Sequence, residues 1–226
     1  RRRSITEPRN SLGVICRTSC SFHSGPRLLS PAADPILHIM SQQTYLTNHF
    51  LIAMPTLEDP NFAQTVTYVC EHSREGAMGI IINRPLELTL GDVFEQMSIE
   101  SPNAGTNDQP VYAGGPVNAE RGFVLHSPTD PWASTLAISD QVSVTTSRDI
   151  LEAIAADKGP RDALVALGYA GWASGQLESE MAENSWLSGP ADPDILFHLP
   201  VNHRWAAAAR AIGVDLSLMS SEAGHA

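Results

Sequence analysis

Lysine is almost missing from this 226-residue chain: Lys158 is the only one, and every other fixed cation is an arginine. Six arginines fall within residues 1–39 against Glu7 and Asp34, a balance of +4, whereas residues 40–226 hold 8 basic and 23 acidic side chains, a balance of −15. DNA binding draws on Lys and Arg replacing counterions on phosphate, and anionic lipid attracts basic clusters. The acidic body has no such cluster, which argues against direct contact with nucleic acid or a membrane. Cysteine is scarce too. Only Cys70 lies in residues 40–226, so the body can form no internal disulfide and suits a reducing cytoplasm. No apolar run approaches the ~18 residues that a membrane span needs. The body also lacks a His-Glu-x-x-His pair, a cysteine pair and an Asp-rich calcium loop, so no metal is expected. Gly168, Gly171 and Gly175 match neither the dinucleotide fingerprint nor the Walker loop, and no cofactor is expected. Ser174 stands one place too late for a nucleophile elbow.

Residues 1–39, before the first methionine at Met40, differ from everything after. They are rich in arginine and serine, poor in acid and without apolar periodicity. That is also the composition of a transit peptide, but such a segment begins with Met. We read 1–39 as a non-native or disordered leader, 40–219 as one domain, and 220–226 as a flexible tail. A body of 187 residues buries close to ~70% of its unfolded surface, enough for a single core.

Along the body, Phe50 to Met54 and Thr65 to Cys70 read as strands, the second alternating at period two. Gly76 to Ile82 reads as a buried strand that stops at Asn83-Arg84-Pro85. Thr89 with Asp92 caps a helix through Phe94 and Met97; residues 98–109 read as loop. Val111 to Ala113 and Gly122 to His126 flank a structural turn at Gly114, Gly115 and Pro116. After a strand at Val142 to Val144, Thr146 and Asp149 open a helix that Gly159-Pro160 ends. Ala163 to Tyr169 reads as strand, Gln176 to Glu183 as helix, Trp186 to Ser188 and Ile195 to His198 as short strands. Pro200 to Ile212 is helical, with Gly213 just past its end. Helices scattered among strand pairs make this an α+β chain with a mixed sheet.

Four polar side chains sit at predicted strand ends, where sheet proteins often place ligand contacts. His72, Asn83, Arg84 and His126 are therefore candidate ligand-binding residues, and together they suit a small anionic or amide-bearing molecule. The alternative is that Asn83 and Arg84 satisfy turns and carboxylates. Cys70 beside His72 is the beginning of a nucleophilic pair, although a free cysteine is more often buried and inert. Trp172, Gln176, Glu178 and Trp186 form an aromatic and polar set that suits an interaction surface; the opposing reading is that both tryptophans are core.

Four blocks in order carry a wider resemblance: Phe50-Leu51-Ile52-Ala53-Met54-Pro55 with Asp59-Pro60-Asn61-Phe62; Cys70-Glu71-His72-Ser73 through Gly79-Ile80-Ile81-Ile82-Asn83-Arg84-Pro85; Val111-Tyr112-Ala113-Gly114-Gly115-Pro116-Val117 through His126; and Gly168-Tyr169-Ala170-Gly171-Trp172 with Gly175-Gln176-Leu177-Glu178 and Asn184-Ser185-Trp186. Over roughly residues 44–215 the chain resembles the bacterial AlgH/YqgE family. The resemblance implies a single cytoplasmic α+β domain, a bifurcated sheet curled into a pseudo-barrel with flanking helices, and a transcriptional-regulator label without an established chemistry. Two readings follow. One is a non-enzymatic regulatory or adaptor protein that binds a protein partner or a small ligand, any transcriptional effect being indirect. The other is a small-molecule hydrolase or transferase built on His72, His126 and Arg84.

Overall fold

Phe50-Leu51-Ile52-Ala53 is apolar at every position because both faces of its strand are covered. The computed structural model, which describes residues 45–128 and 132–219, places it in β1 (His49–Ala53). Phe50 and Ile52 point into one core cluster, under α5 (Val201–Ala211), and Leu51 and Ala53 point into another, under α4 (Gln176–Ala182), as period-two alternation requires. The segments expected as leader and tail lie outside the described residues.

β1 pairs antiparallel with β2 (Val66–Ser73), β2 with β3 (Gly76–Ile81), and the free edge of β1 takes β10 (Trp186–Pro190). Next to β3 runs β9 (Ala163–Ala173), which is shared by two parts of the sheet. Its C-terminal stretch pairs with β3, Gly79 opposite Ala170 and Gly76 opposite Ala173. Its N-terminal stretch pairs antiparallel with β6 (Val117–His126) and parallel with β5 (Pro110–Ala113). β5 in turn pairs with β4 (Pro85–Thr89), and β6 leads through β8 (Ser143–Thr145) to β7 (Thr135–Ala137). The result is a single α+β domain whose mixed sheet bifurcates along β9 and curls into a half-barrel.

Helices close the apolar faces. α1 (Leu90–Gln96) buries Leu90, Val93 and Phe94, and α3 (Arg148–Ala155) buries Ile150, Leu151, Ile154 and Ala155, both against Val124 and Val165. The capping box at Thr89 forms as expected: its hydroxyl accepts from the Asp92 N–H, and Asp92 Oδ2 accepts from the Thr89 N–H at 2.8 Å. The cap of α3 is Ser147 rather than Thr146.

Three local readings are corrected. Residues 98–109 contain a short helix, α2 (Ala104–Asn107), opened by the Asn103 side chain. β9 runs on through Trp172 to Ala173 because β3 pairs with that stretch. Ile195 to His198 lies within a π-helical turn, Asp194–His198, which buries Ile195 and Leu196. Four apolar or aromatic-rich residues cannot be told apart as strand or helix by periodicity. Among the described residues no helix is long and apolar enough to cross a membrane.

The bifurcation depends on glycine. Gly168 has φ +73°, and a Cβ there would stand 2.4 Å from the Gly115 carbonyl oxygen, while a Cβ on Gly114 would stand 2.3 Å from that of Gly168. Gly114 N–H donates to Leu167 O at 2.7 Å and Gly114 O accepts from Ile81 N–H at 2.9 Å, tying β3, β5 and β9 together. Gly175, at φ +74°, opens α4 into free space. Gly175→Ala is therefore expected to lower the unfolding free energy by about 1–2 kcal/mol through its dihedral alone. Gly168→Ala should cost clearly more, read from urea midpoints; equal losses would mean that the crossing tolerates a methyl group.

Candidate functional site

The strand-end residues are held by separate pieces of structure. His72 is buried at the end of β2. Its Nδ1 accepts from the Leu46 N–H at 3.0 Å, so Nε2 carries the proton and donates to Glu178 Oε1 at 3.1 Å; its own backbone N–H donates to Thr47 Oγ1. It fastens α4 and the segment before β1 to the sheet. Asn83 Oδ1 accepts from Val66 N–H at 2.8 Å and Nδ2 donates to Gln64 O at 2.9 Å. Arg84 donates to Pro60 O at 2.6 Å and to Ala63 O at 3.0 Å. Both brace the turn between β1 and β2. His126 is 1% exposed; its Nδ1–H donates to Ser127 O at 2.8 Å, and Nε2 accepts from the Thr145 hydroxyl at 2.9 Å.

These four side chains do not share a pocket. Asn83 bonds the first residue of β2 and His72 stands six residues on, about 20 Å along a strand. His126 pairs opposite Ala163, whereas His72 pairs with Ala77, which pairs with Trp172. That places the two histidines near opposite ends of β9, about 30 Å apart as measured along that strand.

Cys70 and His72 form no nucleophilic pair, since both ring nitrogens are engaged elsewhere. The Cys70 thiol is 2% exposed and lies 3.8 Å from Tyr68 O. Burial, then the charge of Glu71, push it well above the ordinary thiol range, which suppresses the thiolate.

The expected interaction surface is also corrected. Trp172 and Trp186 are 5% and 3% exposed. Both indole N–H groups donate to Glu180 Oε2, at 2.9 and 2.8 Å, and Phe62 packs against both rings. Gln176 donates to Glu180 Oε1 at 2.9 Å and accepts from Ala173 N–H, and Glu178 is engaged with His72. The tryptophans are core because a carboxylate from α4 satisfies their polar edges.

A different place carries unspent polar capacity. A cleft of about 580 Å³ opens where β5 and β9 begin, walled by the loop after α3, the π-helical turn and α5. Arg204 lies in its wall and is 4% exposed. Its Nε donates to Leu199 O at 3.0 Å, Nη1 donates to Ile82 O, and the guanidinium carbon stands 5.3 Å from the Tyr112 ring centroid. Burial draws its pKa below the ordinary arginine value, with Tyr112 acting in the opposite sense; an arginine remains a cation in such a setting. Among the described residues no carboxylate oxygen lies within 4.0 Å of it. Asp157, also in the lining, accepts two bonds from Asn103 Nδ2 and one from the Thr106 hydroxyl. A buried cation on an open cleft, held by neutral carbonyls and an aromatic face, is the arrangement that an anion completes.

Residues 50–217 match the AlgH-like family. The chain belongs to that family. It is 61% identical over 187 residues to a UPF0301 protein of Thioalkalivibrio sulfidiphilus, covering 83% of this chain and 100% of that one. A UPF0301 protein of Methylococcus capsulatus is 57% identical over 185 residues, 82% of this chain and 98% of the relative. The solution structure of the AlgH protein from Pseudomonas aeruginosa is similar at 53% identity and TM-score 0.68, over 82% of this chain and 98% of that one. A Corynebacterium diphtheriae protein of 21% identity and TM-score 0.62 covers 84% of this chain and 99% of its own, and shares the fold.

Within this AlgH-like domain, the sequence reading missed Arg204. One signal was available: Arg204 stands four residues before Ala208 on the buried face of an alanine-rich helix, where a charge has no reason to be unless something receives it.

Two outcomes follow from the buried polar groups. His126 is held below its ordinary value of 6.5, chiefly by burial. Its contribution to stability is whole above about 6.5 and is lost as pH falls toward the folded value, because the unfolded chain takes the proton first. The urea midpoint of the wild type should therefore drop more steeply between pH 7 and 5 than that of His126→Gln; parallel curves would sink this assignment. Separately, iodoacetamide at pH 8 should label Cys70 only as fast as the protein opens, as located by mass spectrometry. Native-state labelling at the rate of a free thiol would contradict the burial.

Proposed function

We propose that this protein binds a small anionic molecule in the Arg204 cleft and acts without catalysing a reaction on it, as a ligand-dependent regulatory or adaptor protein. The observation that carries this reading is the 4% exposed Arg204 guanidinium on the cleft wall, without a carboxylate within ion-pair distance among the described residues. A buried arginine kept as a cation favours a ligand that brings the missing charge. The cleft volume of about 580 Å³ falls in the range of small-molecule sites. The acidic body disfavours contact with a phosphate backbone, so any effect on transcription runs through another protein. The single buried thiol of the body, Cys70, suits the reducing cytoplasm as its compartment. The hydrolase or transferase reading finds less support, because His72, His126 and Arg84 are each engaged in hydrogen bonds within the fold.

The test is a titration of the 15N-labelled full chain with inorganic phosphate and with small carboxylic acids, followed by NMR. Binding should move the Arg204 Nε–H resonance and the amides of Tyr112 and Leu164. Arg204→Gln should weaken it by about 10- to 100-fold, as loss of a charge-assisted bond implies. Anions that leave the Arg204 Nε–H signal unmoved in the wild type would overturn the proposal even if the variant failed to fold.

A further inference from the structure

The cleft holds a second charge that lacks a proper partner. Asp162 is the residue before β9, and its backbone is fixed to Ser127 from both sides: Ser127 N–H donates to Asp162 O at 3.0 Å, and Asp162 N–H donates to Ser127 Oγ at 3.1 Å. Its side chain lines the same cleft as Arg204 and is only 18% exposed. The closest basic nitrogens are His198 Nε2 at 3.6 Å and Arg161 Nε at 4.0 Å, on side chains 50% and 88% exposed. Both distances exceed a hydrogen bond, and contacts of that kind at the surface contribute little. Asp162 and Arg204 do not pair with each other either, since no N–O approach within 4.0 Å links them.

One cavity thus presents a buried guanidinium and a largely buried carboxylate that are held apart. We infer that the ligand is a zwitterion with an amine and a carboxylate on one small molecule, as in an α-amino acid, its carboxylate on Arg204 and its ammonium on Asp162. This rests on the Arg204 reading above and adds the second pole. A plain dianion would satisfy Arg204 and meet repulsion from Asp162; a plain amine would satisfy Asp162 and meet Arg204. Only a ligand carrying both charges meets neither cost. The two poles are on rigid supports: Arg204 is tied to Leu199 and Ile82, and Asp162 to the Ser127 backbone and hydroxyl. Tyr112 and Phe197 also line the cleft and would suit an apolar or aromatic substituent on the ligand.

The experiment compares three kinds of probe on the 15N-labelled full chain: L-α-amino acids added singly, the same molecules without the amine, and the same molecules without the carboxylate. At least one amino acid should bind at the cleft, with the deaminated acid at least about tenfold weaker, as the loss of a charged hydrogen bond implies. Asp162→Asn should remove that preference and leave binding of the deaminated acid unchanged or tighter. If the deaminated acid binds the wild type as well as the amino acid does, the zwitterion is wrong and the anion reading stands alone. If neither amino acids, simple acids nor inorganic phosphate move the cleft resonances, both fail. The wild-type comparison decides the matter even if Asp162→Asn does not fold.

Discussion

Everything in this domain depends on one close backbone crossing. β9 serves two parts of the sheet, and at Gly168 its chain touches Gly114 and Gly115 with no side chain between them. Ile81 reaches the Gly114 carbonyl from the end of β3, so three strands meet at a point that admits only hydrogen atoms. Because β3 and β5 take successive stretches of β9, the sheet opens into two branches there and its faces turn toward different helices. The large core lies under α5, the second under α1 and α3, and the third under α4. The cleft is a by-product of the same event, since it lies where β5 and β9 start side by side, with Arg204 of α5 in its wall.

The buried polar groups divide into those that hold the fold and those with capacity left over. His72, Asn83, Arg84, His126 and Glu180 each meet their partners within ordinary hydrogen-bond lengths. Removing Glu180 would strand two buried indole N–H groups, which is the costly event. These side chains tie elements together: Glu180 fastens Trp172 of β9 to Trp186 of β10, and His72 fastens α4 to β2 across 106 residues. Arg204 and Asp162 differ in kind. Their backbone or carbonyl anchors fix their positions, yet among the described residues Arg204 has no carboxylate within 4.0 Å and Asp162 has only the partly exposed His198 at 3.6 Å and the exposed Arg161 at 4.0 Å. A ligand that used such fixed charges would find their ordering cost already met during folding.

Much of the secondary structure was legible in the residues themselves. The period-two run in β2, the Thr89–Asp92 box and the Pro200 and Gly213 limits of α5 all carry local signals, and each formed. Where a local signal was absent the reading failed. β4 was missed because Pro-Leu-Glu-Leu-Thr has its apolar residues half-exposed or exposed on an edge strand. Ile195 to His198 was taken for strand because four residues carry no period, and the packing of Ile195 and Leu196 decided for a π-helical turn.

For the candidate site the division is sharper. Residue types alone established an acidic, lysine-poor body with one thiol, an α+β chain and membership of the AlgH-like family, because composition and spaced motifs survive without coordinates. They also singled out His72, Asn83, Arg84 and His126 as ligand-binding candidates and Trp172 and Trp186 as an interaction surface; in the structure each is engaged in bonds within the fold. Tertiary structure alone decided what those bonds were for. Whether a histidine faces a ligand or a backbone amide, and whether an indole meets water or a carboxylate, depends on partners far along the chain, as Arg204 and Ile82 meet across 122 residues. No local pattern encodes such a meeting, since it is set by the path of β9 and the docking of α5. An arginine in an alanine-rich helix acquires its meaning only when the rest of the fold has closed around it.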